Sequence, residues 1–104
     1  MFGSGAKAFC AGGDIRAIFD SRNEDESDAL KKRFFYEEYI VDYALAKMKP
    51  VQIALYNGIV MGGGVGVSIN APFRIATEAS LWAMPETSIG LFPDVGGSYF
   101  LPKL

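Results

Sequence analysis

Residues 61–67 read Met61-Gly62-Gly63-Gly64-Val65-Gly66-Val67, and the reading of this run decides the rest of the chain. Four of the 12 glycines fall here within five residues, directly after a strand-like segment. Glycine inside a helix costs about 1 kcal/mol relative to alanine. The cluster therefore marks either a destabilised turn or a point where something must approach the backbone closely. The preceding run, VQIALYNG (51–58), favours a strand and ends in the turn pair Asn57-Gly58. The glycines open a small-residue helix reaching about Ala71, stopped by Pro72. The first N–H groups of a helix lack partners within it and point outward with partial positive charge. With no side chains in the way, a ligand oxygen can reach them. MGGGVG can thus form half of an oxyanion hole, or simply let a helix pack closely on a sheet.

A second glycine loop, FCAGGD (9–14), precedes a second short helix and could supply the other half. Asp14 is placed to cap that helix, which runs to about Asp20 with Ile15, Ile18 and Phe19 on one face. Upstream, MFGSGAKA (1–8) reads as the tail of a strand entering a Gly/Ser turn, and SRNEDESD (21–28) as a polar, acidic loop. A longer helix is predicted from about Asp28 to Lys49, with Ser27 as N-cap, Leu30, Phe34, Val41, Leu45 and Met48 as its buried stripe, and Pro50 as its stop. FRIAT and SLWAM are two short strands joined at Glu78-Ala79. ETSIGLFPDVGG is a loop leading to an apolar helix, SYFLPKL. This alternation predicts an α/β fold with helices packed on a sheet. The strands are too few to close it, so residues 1–104 read as the middle of a larger domain cut at both ends.

Composition narrows the chemistry. Half of the 104 residues are hydrophobic and 21% are charged, a globular balance. A net charge of −2 gives no footprint for nucleic acid. One cysteine allows no internal disulfide, which fits a reducing compartment. No apolar run has the length of a membrane span, and the first residues carry no targeting signature. Histidine is absent. A Ser-His-Asp or Cys-His site therefore cannot be built from this segment, and imidazole metal ligands are missing. Acid–base chemistry falls to carboxylates, lysine, tyrosine or Cys10. Neither glycine loop matches a phosphate-binding P-loop or the dinucleotide fingerprint, which argues against a nicotinamide cofactor.

Taken together, KAFCAGGDI (7–15), NGIVMGGGVG (57–66), FRIATE (73–78) and MPETSIGLFPDVGGSYFLPKL (84–104) resemble the enoyl-CoA hydratase/isomerase, or crotonase, superfamily. Within it they are most similar to the 3-hydroxyisobutyryl-CoA hydrolase branch. The likeness covers essentially the whole chain. It implies a crotonase (ClpP-like) fold of repeated ββα units, present here as a partial domain, and an acyl-CoA thioester as ligand. It places the two amides that polarise the thioester carbonyl at Gly13 and Gly63.

The resemblance also assigns the acids. Enoyl-CoA hydratases carry a glutamate two residues after GGG and a second in the later Pro-Glu motif. Here the first position is Gly66 and the second is Glu86. The two-glutamate hydration route therefore has no basis. The hydrolase branch pairs the glutamate of PET with the aspartate of FPDVGG, here Asp94. From the residues alone, Glu86 could be a loop or cap residue and Asp94 a cap for the helix near Gly97. Glu38, at the edge of the long helix's stripe, reads by itself as an acid at the core's rim. By resemblance it contacts the hydroxyl of a hydroxyacyl substrate. Trp82, Phe92, Tyr99 and Phe100 read as core or acyl-pocket wall, Cys10 as a small buried hydrophobe, and Lys7 and Arg16 as surface residues near where the family places the CoA nucleotide.

The implied activity is hydrolysis of a β-hydroxyacyl-CoA, with no metal or redox cofactor and no nucleic-acid or membrane partner. Homo-oligomerisation would go through parts outside this chain, and a mitochondrial location is the family's expectation. The rivals are a hydratase or isomerase of the same superfamily and a non-catalytic acyl-CoA-binding subunit.

Overall fold

The computed structural model describes residues 1–23 and 27–104. The acidic residues expected to form a loop fall mainly at 24–26, outside the described residues, as does the Ser27 side chain expected to cap the long helix.

Three short parallel strands form one sheet in the order β1 (Ala8–Cys10), β3 (Ile59–Met61), β5 (Leu81–Ala83). A second parallel pair joins β2 (Ile53–Tyr56) to β4 (Phe73–Ala76). Helices α1 (Ile15–Asp20), α2 (Ser27–Ala46), α3 (Gly63–Ile69) and α4 (Gly97–Phe100) connect and cover them, with single 3₁₀ turns at Ser21–Asn23, Glu86–Ile89 and Leu101–Lys103. Two successive ββα-like passes result, as the fold reading expects. The core is built from Ala54, Tyr56, Val60, Val65, Ile69, Ala71 and Phe100, with Phe9, Trp82 and Met84 against it. The Tyr56 hydroxyl shares a buried 2.9 Å hydrogen bond with Ser68 Oγ, and the Arg74 guanidinium donates to the carbonyls of Ile69 and Ala71 at the end of α3.

Residues 1–2 pair along β2 and enter a turn, as expected, and a further strand follows that turn where the reading had the start of a glycine loop. Residues 4–7 form the bend and β1 begins at Ala8, while Phe2 bridges to Leu55 of the other sheet. The run after Asn57-Gly58 is not loop but a separate strand, β3. Gly58 has φ +90°, and its amide plane turns the chain out of one sheet and into the next. Helix α2 ends at Ala46, short of Lys49, since the residue before a proline is disfavoured in helical geometry and the last turn loosens ahead of Pro50.

The predicted stripe of α2 is also rotated. Leu30, Val41 and Met48 are exposed. The row facing inward is Phe34, Glu38 and Asp42, spaced at i, i+4 and i+8 along one ridge. That ridge lies on three glycines. A side-chain carbon at Gly13 would strike the Phe34 ring, one at Gly63 would strike Glu38 Oε1, and one at Gly66 would stand 3.0 Å from both carboxylate oxygens of Asp42. The glycines form a groove without side chains, and α2 is seated in it by the ridge-and-groove fit that governs helix packing.

Candidate functional site

The three parallel strands of the first sheet release their C-terminal ends side by side, and each end carries one part of the site. After Cys10 comes the loop with Gly13, after Met61 the glycine run with Gly63, and after Ala83 the segment Met84-Pro85-Glu86. The first two loops abut: a side-chain carbon at Gly12, whose φ is +100°, would lie 3.2 Å from Gly63 N and from Met61 O. Asp14 caps α1 as expected, its Oδ1 accepting from Ala17 N at 2.9 Å. Gly63 is the first residue of α3, so its amide has no acceptor within the helix. Among the described residues neither the Gly13 nor the Gly63 amide donates to another group of the chain outside its helix.

Glu86 opens the 3₁₀ turn and is only 6% exposed. It caps nothing. Its Oε1 stands 3.0 Å from where a side chain at Gly62 would begin, and its Oε2 has no hydrogen-bond partner among the described residues. Asp94 is 8% exposed, and its side chain does not cap α4 either; the cap position is Gly96. Instead Asp94 Oδ2 accepts a 2.8 Å hydrogen bond from the Tyr39 hydroxyl, across 55 residues of sequence. The residue after it, Val95, is buried with φ +42°, a conformation a β-branched residue adopts only under constraint. Gly96 follows at φ +87°. This turn, anchored by Val95 against α3, fixes where Asp94 points.

A cavity of about 200 Å³ joins these groups, lined by Gly13, Gly63, Phe34, Glu38, Glu86 and Asp94. All five residues expected to form the site therefore share one cavity. On the far side of Asp94 a wider, more open cleft of about 430 Å³ runs between Tyr39, Asp42, Phe92, Val95 and Tyr99. Phe92 and Tyr99 are exposed on that cleft rather than buried in the core, whereas Phe100 is core as expected.

Burial pushes the Glu38 carboxyl up to about 7, with the negative charges of Asp94, Asp42 and Glu86 adding in that order. Asp42 is raised to about 6 by burial and then by Asp94. The Tyr39 hydroxyl is raised by burial, by its hydrogen bond to Asp94 and by the neighbouring acids, and so remains a donor. The site thus holds an acid, Glu38, that can exist in either protonation state near neutral pH.

Three contributors escaped the sequence reading. Asp42 and Tyr39 carried a signal, being one helical turn and one residue beyond Glu38. The strained Val95 had only the two following glycines to mark it. Lys7 and Arg16 are exposed, and Arg16 pairs with Asp20 at 3.2 Å on the surface. Cys10 is half-buried and unpaired, and its carbonyl touches the space over Gly64. Among the described residues no group of three or more His, Cys, Asp and Glu side chains is arranged to hold a metal ion, and no helix is long and apolar enough to cross a membrane.

Two glycine loops at parallel strand ends thus face a group of carboxyls across one cavity, the arrangement expected of a crotonase-type domain. The sequence matches the enoyl-CoA hydratase/isomerase family over residues 1–104, and the chain belongs to that family. It is 58% identical over 102 residues to the mitochondrial 3-hydroxyisobutyryl-CoA hydrolase of Bos taurus, covering 98% of this chain and 26% of that protein. It is 52% identical over 109 residues to the protein of the same name from Dictyostelium discoideum, covering 100% of this chain and 29% of that one. Among solved structures, an enoyl-CoA hydratase from Rhodobacter sphaeroides superposes with a TM-score of 0.85 at 40% identity, over 94% of this chain and 29% of that one. The chain thus spans just over a quarter of the length of these relatives.

Proposed function

We propose that these residues form the catalytic centre of a β-hydroxyacyl-CoA hydrolase, acting on 3-hydroxyisobutyryl-CoA in valine breakdown and located in mitochondria. The observation that carries the reading is the shared cavity of Glu86, Asp94 and Glu38 with the amides of Gly13 and Gly63. The Gly13 and Gly63 N–H groups receive the thioester carbonyl oxygen and stabilise the tetrahedral oxyanion, each donor being worth about 3–4 kcal/mol. Glu86, with one oxygen unpartnered, attacks the carbonyl to give a mixed anhydride and free CoA, or takes a proton from the water that attacks instead. Asp94, held by Tyr39, handles the proton that water gives up, passing it to the thiolate whether water attacks the thioester itself or hydrolyses the anhydride and frees Glu86. Coenzyme A is part of the substrate, and the chemistry asks for no metal or redox group.

Glu38 supplies selectivity. Its carboxylate accepts a hydrogen bond from the substrate hydroxyl, and a saturated chain leaves it buried without that partner. Hydration is disfavoured at Gly66, where a side chain would stand 2.6 Å from Val95 Cβ and 3.0 Å from the Asp42 carboxylate, leaving no room for the second glutamate. The test compares 3-hydroxyisobutyryl-CoA with isobutyryl-CoA on the full-length protein. A kcat/KM preference of at least about a hundredfold for the hydroxy substrate, collapsing in Glu38→Gln, is expected. Equal turnover of the two would contradict it. Single-turnover hydrolysis in heavy-oxygen water separates the two roles of Glu86: label enters the glutamate only if the anhydride forms.

A further inference from the structure

The third member of the α2 ridge has no part in the chemistry above. Asp42 is 8% exposed, and neither of its carboxylate oxygens has a hydrogen-bond partner among the described residues. A carboxylate with no partner in such a place is costly unless its charge is used or removed. Its location is specific. It sits one turn beyond Glu38 on the inward ridge of α2 and three residues beyond Tyr39, whose hydroxyl reaches Asp94. Both its oxygens lie over Gly66, in space that any side chain there would claim, with Val95 closing the other side. It borders the cleft beyond Asp94, which puts Asp94 between the two cavities and between Glu38 and Asp42.

We propose that Asp42 is a positioning residue whose buried carboxyl, admitted by the missing side chain of Gly66, sets the charge facing Glu38 and so tunes the group that meets the substrate hydroxyl. Glycine at 66 then has a positive role: it makes room for a carboxyl delivered from α2. The inference rests on the reading of Glu38 as the group that meets the substrate hydroxyl. The titratable groups that face Asp42 are Glu38, Tyr39 and Tyr43 on its own helix and Asp94 and Tyr99 from the segment packed against it; α3 presents only Gly66 and Asn70. The nearby cations are engaged with the tyrosines, Lys47 Nζ 5.8 Å from the Tyr43 ring centre and Lys103 Nζ 3.1 Å from the Tyr99 ring centre, and among the described residues neither bonds Asp42, so removing the Asp42 charge is expected to be felt by Glu38.

The experiment follows the Glu38 carboxyl by carbon-13 NMR across pH in the full-length protein, unmutated and as Asp42→Asn. The substitution keeps shape and removes charge. In the variant the Glu38 midpoint is expected to fall by about half a pH unit, less than burial or Asp94 contributes, and the acid limb of kcat/KM to move with it. A side chain that only filled space would alter rate or stability at every pH without moving either midpoint, and an unchanged Glu38 curve overturns the proposal. The unmutated protein gives a second readout should the variant fail to fold: its Glu38 curve is expected to carry an inflection at the Asp42 midpoint, and a single simple transition overturns the proposal equally. Because the titration needs no substrate, absence of thioester hydrolysis would sink the hydrolase reading alone.

Discussion

At the ends of β1 and β3, the groups proposed to meet the substrate are backbone amides kept clear of side chains. On the α2 side they are carboxyls, placed by a helix ridge and responsive to one another's charge. A change on the first side displaces fixed atoms and acts on geometry at every pH. A change on the second moves a proton and acts within a pH window. The site is thus a rigid electrophilic cradle faced by an adjustable acidic wall, and the two sides meet at the glycine groove.

The sharpest way to break this contrast is to fill neighbouring glycines. A side chain at Gly64 would strike the Cys10 carbonyl, part of the backbone between two paired strands. A side chain at Gly63 would meet only Glu38 Oε1, the far end of a flexible chain. Gly64→Ala is expected to cost about 3 kcal/mol or more, the upper range for overpacking a fixed site, and to show as loss of the cooperative thermal transition. Gly63→Ala is expected to keep that transition within a few degrees and to lower kcat/KM by about a hundredfold, from an obstructed amide and a displaced Glu38. Equal melting temperatures for the two variants would break the distinction between the sides.

Next in size is Glu38→Gln. A carboxyl whose value rises from 4.5 in the unfolded chain to about 7 in the fold disfavours the folded state once ionised. The cost is absent below about pH 4.5, develops between there and about 7, and is complete above. The glutamine variant should therefore melt higher than the unmutated protein at pH 8 and match it at pH 4, while losing the inflection near 7 in kcat/KM for the hydroxy substrate. A stability gain that is the same at both pH values would contradict the assignment.

The smallest effect belongs to Tyr39→Phe. It removes one hydrogen bond to a buried carboxylate, worth about 1–3 kcal/mol. A fall in kcat of about tenfold is expected with KM little changed, since Asp94 keeps its place through the Val95 turn.

The strand side was legible in the sequence because its information is local. A glycine loop following a strand and opening a helix announces itself within ten residues, and Asp14 caps α1 as that pattern expects; the resemblance, not the pattern, picked Gly13 and Gly63 from the two loops. The acidic wall was less legible because its information is tertiary. Leu30, Val41 and Met48 outweigh Glu38 and Asp42 on hydropathy, so the stripe, right at Phe34 and Leu45, was drawn rotated away from the two acids. What turns the helix is the groove of Gly13, Gly63 and Gly66, residues far apart in sequence. The capping roles open to Glu86 and Asp94 fail for the same reason: Asp94 is claimed by Tyr39, 55 residues away. The resemblance found these acids without locating the forces that hold them, and it passed over Asp42.

Glu86 is proposed to act on a thioester carbonyl held by Gly13 and Gly63, and not on a double bond. The direct test gives the full-length protein 3-hydroxyisobutyryl-CoA and crotonyl-CoA, following free CoA thiol and enoyl absorbance in parallel, with Glu86→Gln beside the unmutated protein. Thiol release from the hydroxy substrate, reduced at least about a thousandfold in the variant, with crotonyl-CoA left intact, is the predicted result. Loss of enoyl absorbance without thiol release would contradict it and make this a hydratase despite Gly66.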